Sequence, residues 1–326
     1  GINAIDHPIY QFNDSVGVYM IGKSFNEAFL YTLRNEEEVA FFKGEDHAET
    51  SDLKLDNPLQ SDQSHLRNSL IPGLLDVLEL NLARQNLTSQ FFERGRVFRV
   101  IEGQLVELIS VGFISLGKSL DRKWQDGVEF DFYTAKSCAE DIFRLLPFKI
   151  KEREWSPIEA SEFWQAEHSA KAGNLSKDGY EVSLGLLNIK NIKERWGLSN
   201  PIFAGSLLLQ KELFEKEMKH FRYKVLSNQP ASMKDLSLVV DKTVFANEVL
   251  ETVKGFIAQS IEGFACESVE VFDVYEGEGL EAGKKSFAVS MKFRAQDRTL
   301  KDKEVNAVFE AVQSLVLKET NYQIRK

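Results

Sequence analysis

Between Ser286 and Arg294 the chain alternates without a break, with Phe287, Val289, Met291 and Phe293 at one parity and Ser286, Ala288, Ser290, Lys292 and Arg294 at the other. Successive side chains of a strand point to opposite faces, so this segment reads as a strand with one face in a core and the other in water. Such a strand needs pairing partners along its edges and an apolar layer over one face. The flanks supply both. Upstream, Val269, Val271, Asp273 and Tyr275 alternate with Glu270, Phe272 and Val274, and the glycine-rich stretch from Glu276 to Gly283 reads as a hairpin connection.

Two amphipathic helices frame the pair. One is predicted from Phe245 to Ser260, with Val249, Val253, Phe256 and Ile257 at helical spacing. The other carries Val305, Val308, Phe309, Val312, Leu315 and Val316 on a stripe, with Thr299 or Asp302 as its expected cap. Adding strands at Leu236–Asp241 and Tyr322–Arg325 gives strand-helix-strand-strand-helix-strand, the split order of ferredoxin-like sandwiches. One sheet face is then covered by helices and the other is left open.

The ordered series Phe272-Asp273-Val274-Tyr275, Gly283-Lys284-Lys285-Ser286, Phe293-Arg294 and Asp297-Arg298-Thr299-Leu300 resembles the anticodon-binding domain that closes the beta subunit of bacterial phenylalanyl-tRNA synthetase. Earlier segments, in order, resemble the catalytic-like module of the same subunit. They are Asn57-Pro58-Leu59, Leu66 to Leu75 with Pro72-Gly73, Asn81, Arg84-Gln85-Asn86 and Phe92 to Phe98. Trp124 with Asp131-Phe132-Tyr133 and Lys136, and His168-Ser169-Ala170 leading to Gly185-Leu186-Leu187-Asn188, extend the match. The resemblance runs from about Lys23 onward and touches only the carboxy-terminal part of that subunit, so no editing function is expected here.

The expected fold class is therefore α+β: a class II synthetase-like antiparallel-sheet domain over residues 1–222, catalytically inactive, then a ferredoxin-like βαββαβ sandwich over 223–326. Pro72 should open a helix whose stripe is Leu74, Leu75, Leu78 and Leu82. Class II adenylate formation needs arginines on the ATP phosphates. Gly95-Arg96-Val97-Phe98-Arg99 is followed only by a short Glu102-Gly103 turn, and Phe203 to Leu209 contains no Arg and a single Gly. Glu93 and Arg96 read as a buried structural pair rather than a phosphate site.

Other chemistries find little support. His7, His47, His65, His168 and His220 lack metal-ligand spacing, and Cys138 and Cys266 form no CxxC or disulfide framework. No apolar run reaches the roughly 18 residues of a membrane span. The net charge of −10 argues against a general nucleic-acid coat, yet residues 223–326 hold 14 Lys and Arg against 16 Asp and Glu. Within them, seven basic residues fall between Lys284 and Lys303, while Glu267 to Glu281 is acidic.

The resemblance implies a non-catalytic fragment of phenylalanine-tRNA ligase. Its partners would be the catalytic alpha subunit, in a cytoplasmic heterotetramer of two alpha and two beta subunits, and tRNA(Phe). ATP and magnesium would belong to the whole enzyme, with no cofactor or metal in this fragment. Candidate tRNA-binding residues are Lys234, Phe272, Tyr275, Lys284, Lys285, Ser286, Lys292, Arg294 and Arg298. Lys234 stands where the family commonly has Arg, which loses a planar fork for phosphate. The alternatives are a ferredoxin-like module that binds a regulatory amino acid and an assembly module without RNA contact.

Overall fold

The computed structural model describes residues 7–43, 50–86, 90–117, 129–150, 154–159, 161–217, 223 and 225–325. It divides into two compact units, Gly1–His220 and Phe221–Lys326. Trp124, His47 and the expected boundary at 222 lie outside the described residues.

The first unit is built on a seven-stranded sheet. In chain order its elements are α1 (Pro8–Gly22), β1 (Asn26–Glu27), β2 (Leu33–Arg34), α2 (Glu36–Phe41), β3 (His65–Leu66), α3 (Ile71–Ala83), β4 (Gln90–Ile101) and β5 (Gln104–Leu116). Then come α4 (Phe132–Arg144), β6 (Ser156–Pro157), β7 (Trp164–Ala172), the short α5 (Leu175–Asp178), β8 (Tyr180–Leu187), α6 (Ile189–Trp196) and β9 (Ile202–Leu209). The sheet order is β1-β4-β5-β9-β8-β7-β6, antiparallel except that β1 runs parallel to β4. β2 and β3 form a separate small pair.

Helices cover both faces of this sheet. Ile9, Phe12, Val16 and Met20 of α1 and Ala135, Ala139, Ile142 and Phe143 of α4 pack on Ile109, Val111, Val182 and Leu207. On the other face Leu74, Leu75 and Leu78 of α3 and Ile192 and Trp196 of α6 meet Phe91, Ile114, Leu187 and Ala204. Of the stripe expected on the helix with Pro72, Leu74, Leu75 and Leu78 are buried and Leu82 is half-buried, and Pro72 sits in its first turn, where a missing N–H costs nothing. Between β4 and β5 the chain turns on two residues, Glu102 (φ 52°) and Gly103 (φ 79°). Two left-handed residues in a two-residue loop make the type I′ turn that matches strand twist.

The expected pair of Glu93 and Arg96 does not form. Residues three apart on a strand point to opposite faces. Glu93 is instead bridged by Arg67 at 2.8 Å, both side chains being buried, while Arg96 reaches Glu107 on the neighbouring strand at 3.1 Å. Burial pushes the Glu93 carboxyl above its ordinary range, and Arg67's charge and hydrogen bond oppose that rise. Arg67 also donates from Nε to the Arg96 carbonyl at 2.8 Å, tying the lead-in of α3 to β4.

The second unit follows the predicted order: β10 (Ser232–Asp241), α7 (Ala246–Ser260), β11 (Ala265–Tyr275), β12 (Lys284–Arg294), α8 (Asp302–Glu319) and β13 (Gln323–Arg325). β12 is paired along its length by β10 and β11, and β13 adds to the far edge of β10. Phe287, Val289, Met291 and Phe293 are buried with Leu236, Leu238, Val240, Val249, Val253, Val305, Val308 and Val312. Both helices therefore lie on one face, and the fold class is the α+β ferredoxin-like arrangement anticipated from the alternation.

Two details differ from the expectation. β11 carries irregularities between Cys266 and Ser268 and between Val271 and Asp273. An extra residue reverses parity beyond it, so Asp273 and Tyr275 pair with Ala288 and Ser286 on the open face instead of following Val269 and Val271 toward the helices. Neither Thr299 nor Asp302 caps α8. Glu304, in its first turn, accepts from the Lys301 backbone N–H at 2.9 Å and is held by two Arg298 hydrogen bonds of 2.7 and 2.8 Å.

These hydrogen bonds, Arg298's foremost, pull the Glu304 carboxyl from 4.5 down to about 2. A depressed carboxylate contributes stability above its unfolded value and loses it as pH falls through the folded one. Glu304→Gln should therefore flatten the pH dependence of unfolding between 4.5 and about 2 relative to the parent chain, as followed by urea midpoints. Parallel profiles would show that this cap contributes nothing.

Candidate nucleic-acid interface

The helix-free face of the second unit is built in rows by strand register. Tyr275, Ser286, Val239 and Gln323 form one row, and Asp273, Ala288, Ser237 and Arg325 the next. Further along come Glu270, Ser290 and Asp235, then Ser268, Lys292 and Met233, with Arg294 opposite Ala265 at the end. Small residues occupy the centre, so the surface is low and flat, with charges at its margins.

Lys292 and Arg294 project together, as their shared parity required. Both meet one carboxylate: Lys292 Nζ lies 3.1 Å from Glu267 Oε2, and Arg294 Nε donates to Glu267 Oε1 at 2.6 Å. Arg294 Nη1 also donates to the Gln229 carbonyl. Arg294's hydrogen bond, followed by that of Lys292, holds Glu267 below the ordinary carboxylate range. Beside them Met233 is 63% exposed.

The remaining candidates do not converge on that pair. Lys284 shares the open face but stands eight residues from Lys292 along β12, about 26 Å at strand rise, and bridges Asp241 at 2.8 Å. Lys285 has the opposite parity, and its ammonium lies 5.1 Å from the Phe287 ring. Lys234 pairs with Met291 and so belongs to the helix side. Arg298 sits before α8 and is spent on Glu304.

The aromatic candidates also separate. Phe272 falls at the second irregularity of β11 and is 60% exposed. Tyr275 donates its hydroxyl to the Glu278 carbonyl at 2.9 Å, and the Arg325 guanidinium lies 4.9 Å from its ring centroid. Arg325 reaches it across β10 and β12, and Ser286, one of the residues in that gap, is only 4% exposed. Sequence reasoning missed the roles of Glu267, Gln229 and Arg325. The acidity around Glu267 was visible, but its pairing depends on the bulge beside it.

The sheet of the first unit offers little room for a nucleotide at its glycines. A Cβ placed at Gly95 would strike the Arg67 guanidinium, one at Gly112 the Leu70 side chain, and one at Gly205 the Phe113 ring. Arg94 is engaged by Glu27 and by the Asn13 carbonyl, and Arg96 by Glu107. Among the described residues no three His, Cys, Asp or Glu side chains gather as a metal site. Nor is any described helix long and apolar enough to cross a membrane.

Comparison with known proteins accounts for both units. Residues 2–205 match the family model described as the phenylalanyl tRNA synthetase beta chain CLM domain, and residues 227–325 match the ferredoxin-fold anticodon binding domain. The chain is 29% identical over 316 residues to the phenylalanine–tRNA ligase beta subunit of Shouchella clausii, covering 94% of this chain and 37% of that protein. The corresponding subunit of Carboxydothermus hydrogenoformans is 29% identical over 323 residues, covering 98% and 39%. The chain thus spans well under half the length of these relatives. Among solved structures, pyrrolysyl-tRNA synthetase from Desulfitobacterium hafniense overlaps 63% of this chain and 67% of its own, with a TM-score of 0.42 and 16% identity, a likeness too remote to bear on the site. With one unit matched by the beta-chain model and the other by the anticodon-binding model, this chain belongs to the phenylalanyl-tRNA synthetase beta-chain family.

Proposed function

We propose that this chain serves as a non-catalytic part of an ATP-dependent phenylalanine–tRNA ligase in the cytoplasm, with residues 1–222 docking the alpha subunit and residues 223–326 binding the anticodon region of tRNA(Phe). The observation that carries the RNA half is the paired projection of Lys292 and Arg294 from a flat, helix-free sheet face, with Phe272 exposed at its edge strand. Cations hold a nucleic-acid backbone while an exposed ring offers a platform to an unstacked base. ATP and magnesium are assigned to the alpha subunit, because side chains of the first unit itself fill the space over Gly95, Gly112 and Gly205, and Arg94 and Arg96 of its hairpin are engaged within the fold.

The docking half rests on α1. Its inner stripe, Ile9, Phe12, Val16 and Met20, is buried in the core, yet Tyr10, Val18 and Ile21 on the outer stripe are 64%, 75% and 60% exposed. From Val16 onward the helix is apolar on both sides, which suits that half to burial on both sides. The alpha subunit is the proposed cover, in a heterotetramer of two alpha and two beta subunits. The helix begun at Pro72 and the strand around Phe92 would support that surface from the core, since Leu75, Leu78 and Phe92 are buried within the unit itself.

Two measurements test the halves separately. Replacing Lys292 and Arg294 together by alanine should weaken tRNA(Phe) binding by the full chain at low salt and lower its log-log salt slope by up to about 1.4 if both touch single-stranded phosphates. A folded double variant with parent affinity and slope would move the RNA to another surface. For the first unit, Val18→Asp with Ile21→Asp should leave the thermal melt nearly unchanged and abolish co-elution with the alpha subunit. Intact co-elution would place the interface elsewhere.

A further inference from the structure

We infer that Glu267 occupies the anion position of the Lys292–Arg294 pair, so that an RNA phosphate binds there by displacing this carboxylate; the inference rests on the RNA-binding reading of that face. The carboxylate offers one oxygen to each cation, Oε2 to Lys292 at 3.1 Å and Oε1 to Arg294 at 2.6 Å. A phosphodiester has two non-bridging oxygens to offer to the same two donors.

Arg294 leaves little alternative. Its Nη1 is committed to the Gln229 carbonyl and its Nε to Glu267. Arginine grips a phosphate in bidentate fashion through two adjacent N–H groups. The edge formed by Nε and Nη2 becomes complete only when Glu267 lets go, and the edge formed by Nη1 and Nη2 only when Gln229 does. The exposed carboxylate is the easier to release, because it passes into water fully solvated, whereas the Gln229 backbone belongs to a segment fixed against the end of β12. Ser227 Oγ donates to the Ala295 carbonyl at 2.8 Å, and Thr299 Oγ1 donates to Gln229 Oε1 at 3.0 Å.

Glu267 also stands at the irregularity between Cys266 and Ser268, so its backbone has no register partner on β12 and its carboxylate is held there by the two cations. The exchange sets a threshold. A lone anion gains one contact and loses the internal one, while a polymer of linked phosphates adds contacts elsewhere on the face and prevails. Glu267 therefore selects a polyanion over free phosphate.

The test uses the full chain and tRNA(Phe), with Glu270→Gln as the control for general charge, since Glu270 is exposed on the same face. Glu267→Gln keeps the shape and removes the competing charge, so it should tighten tRNA binding by up to about fivefold, the scale of one exposed ion pair. The gain should exceed that of Glu270→Gln and vanish when Lys292 and Arg294 are alanine, the non-additivity expected of direct partners. If the double alanine variant binds less tightly but Glu267→Gln gains no more than the control, displacement is wrong and the face still binds RNA. If the double alanine variant binds like the parent, the reading of the face fails and the inference with it.

Discussion

The second unit depends on one constraint: β12 must satisfy hydrogen bonds on both edges and present different chemistry on its two faces. Its odd-numbered residues from Phe287 to Phe293 enter the core, and burial of such side chains is worth about 1.5–3 kcal/mol each relative to exposure. A slip of one residue would turn all four into water and bring Lys292 and Arg294 under the helices. The register that builds the core therefore also fixes the two cations on the open face. Folding and the candidate interface share a single cause.

The first unit has a corresponding fixed point in the Arg67–Glu93 bridge. Leaving either charge alone in that setting would cost several kcal/mol, so the pair holds together or the local fold changes. Its position helps to close the sheet's surface. Arg67 lies over Gly95, Leu70 over Gly112 and Phe113 against Gly205, so the space that small residues open is taken by the chain itself.

Much of this is legible in the sequence alone. Periodicity located β12, both helices of the second unit and the leucine stripe after Pro72, because burial acts on side chains at regular intervals. What escaped was set by single insertions and by distant register. The bulge after Val271 moves Tyr275 to the other face, and no composition cue marks it. Glu93 was matched to the nearby Arg96, although strand parity already opposed it; its partner Arg67 comes from another element. The candidate cations were legible as a basic run, but their division between two faces and two ends of β12 follows from register, as with Lys234 and Lys285.

The proposed RNA surface is the helix-free face of the second unit. Photo-crosslinking of the full chain to tRNA(Phe), with the joined peptides identified by mass spectrometry, tests it most directly. Crosslinks are expected within β11 and β12, with Phe272 foremost because its ring is exposed at the edge strand. Crosslinks confined to α7 and α8, or to the first unit, would contradict it.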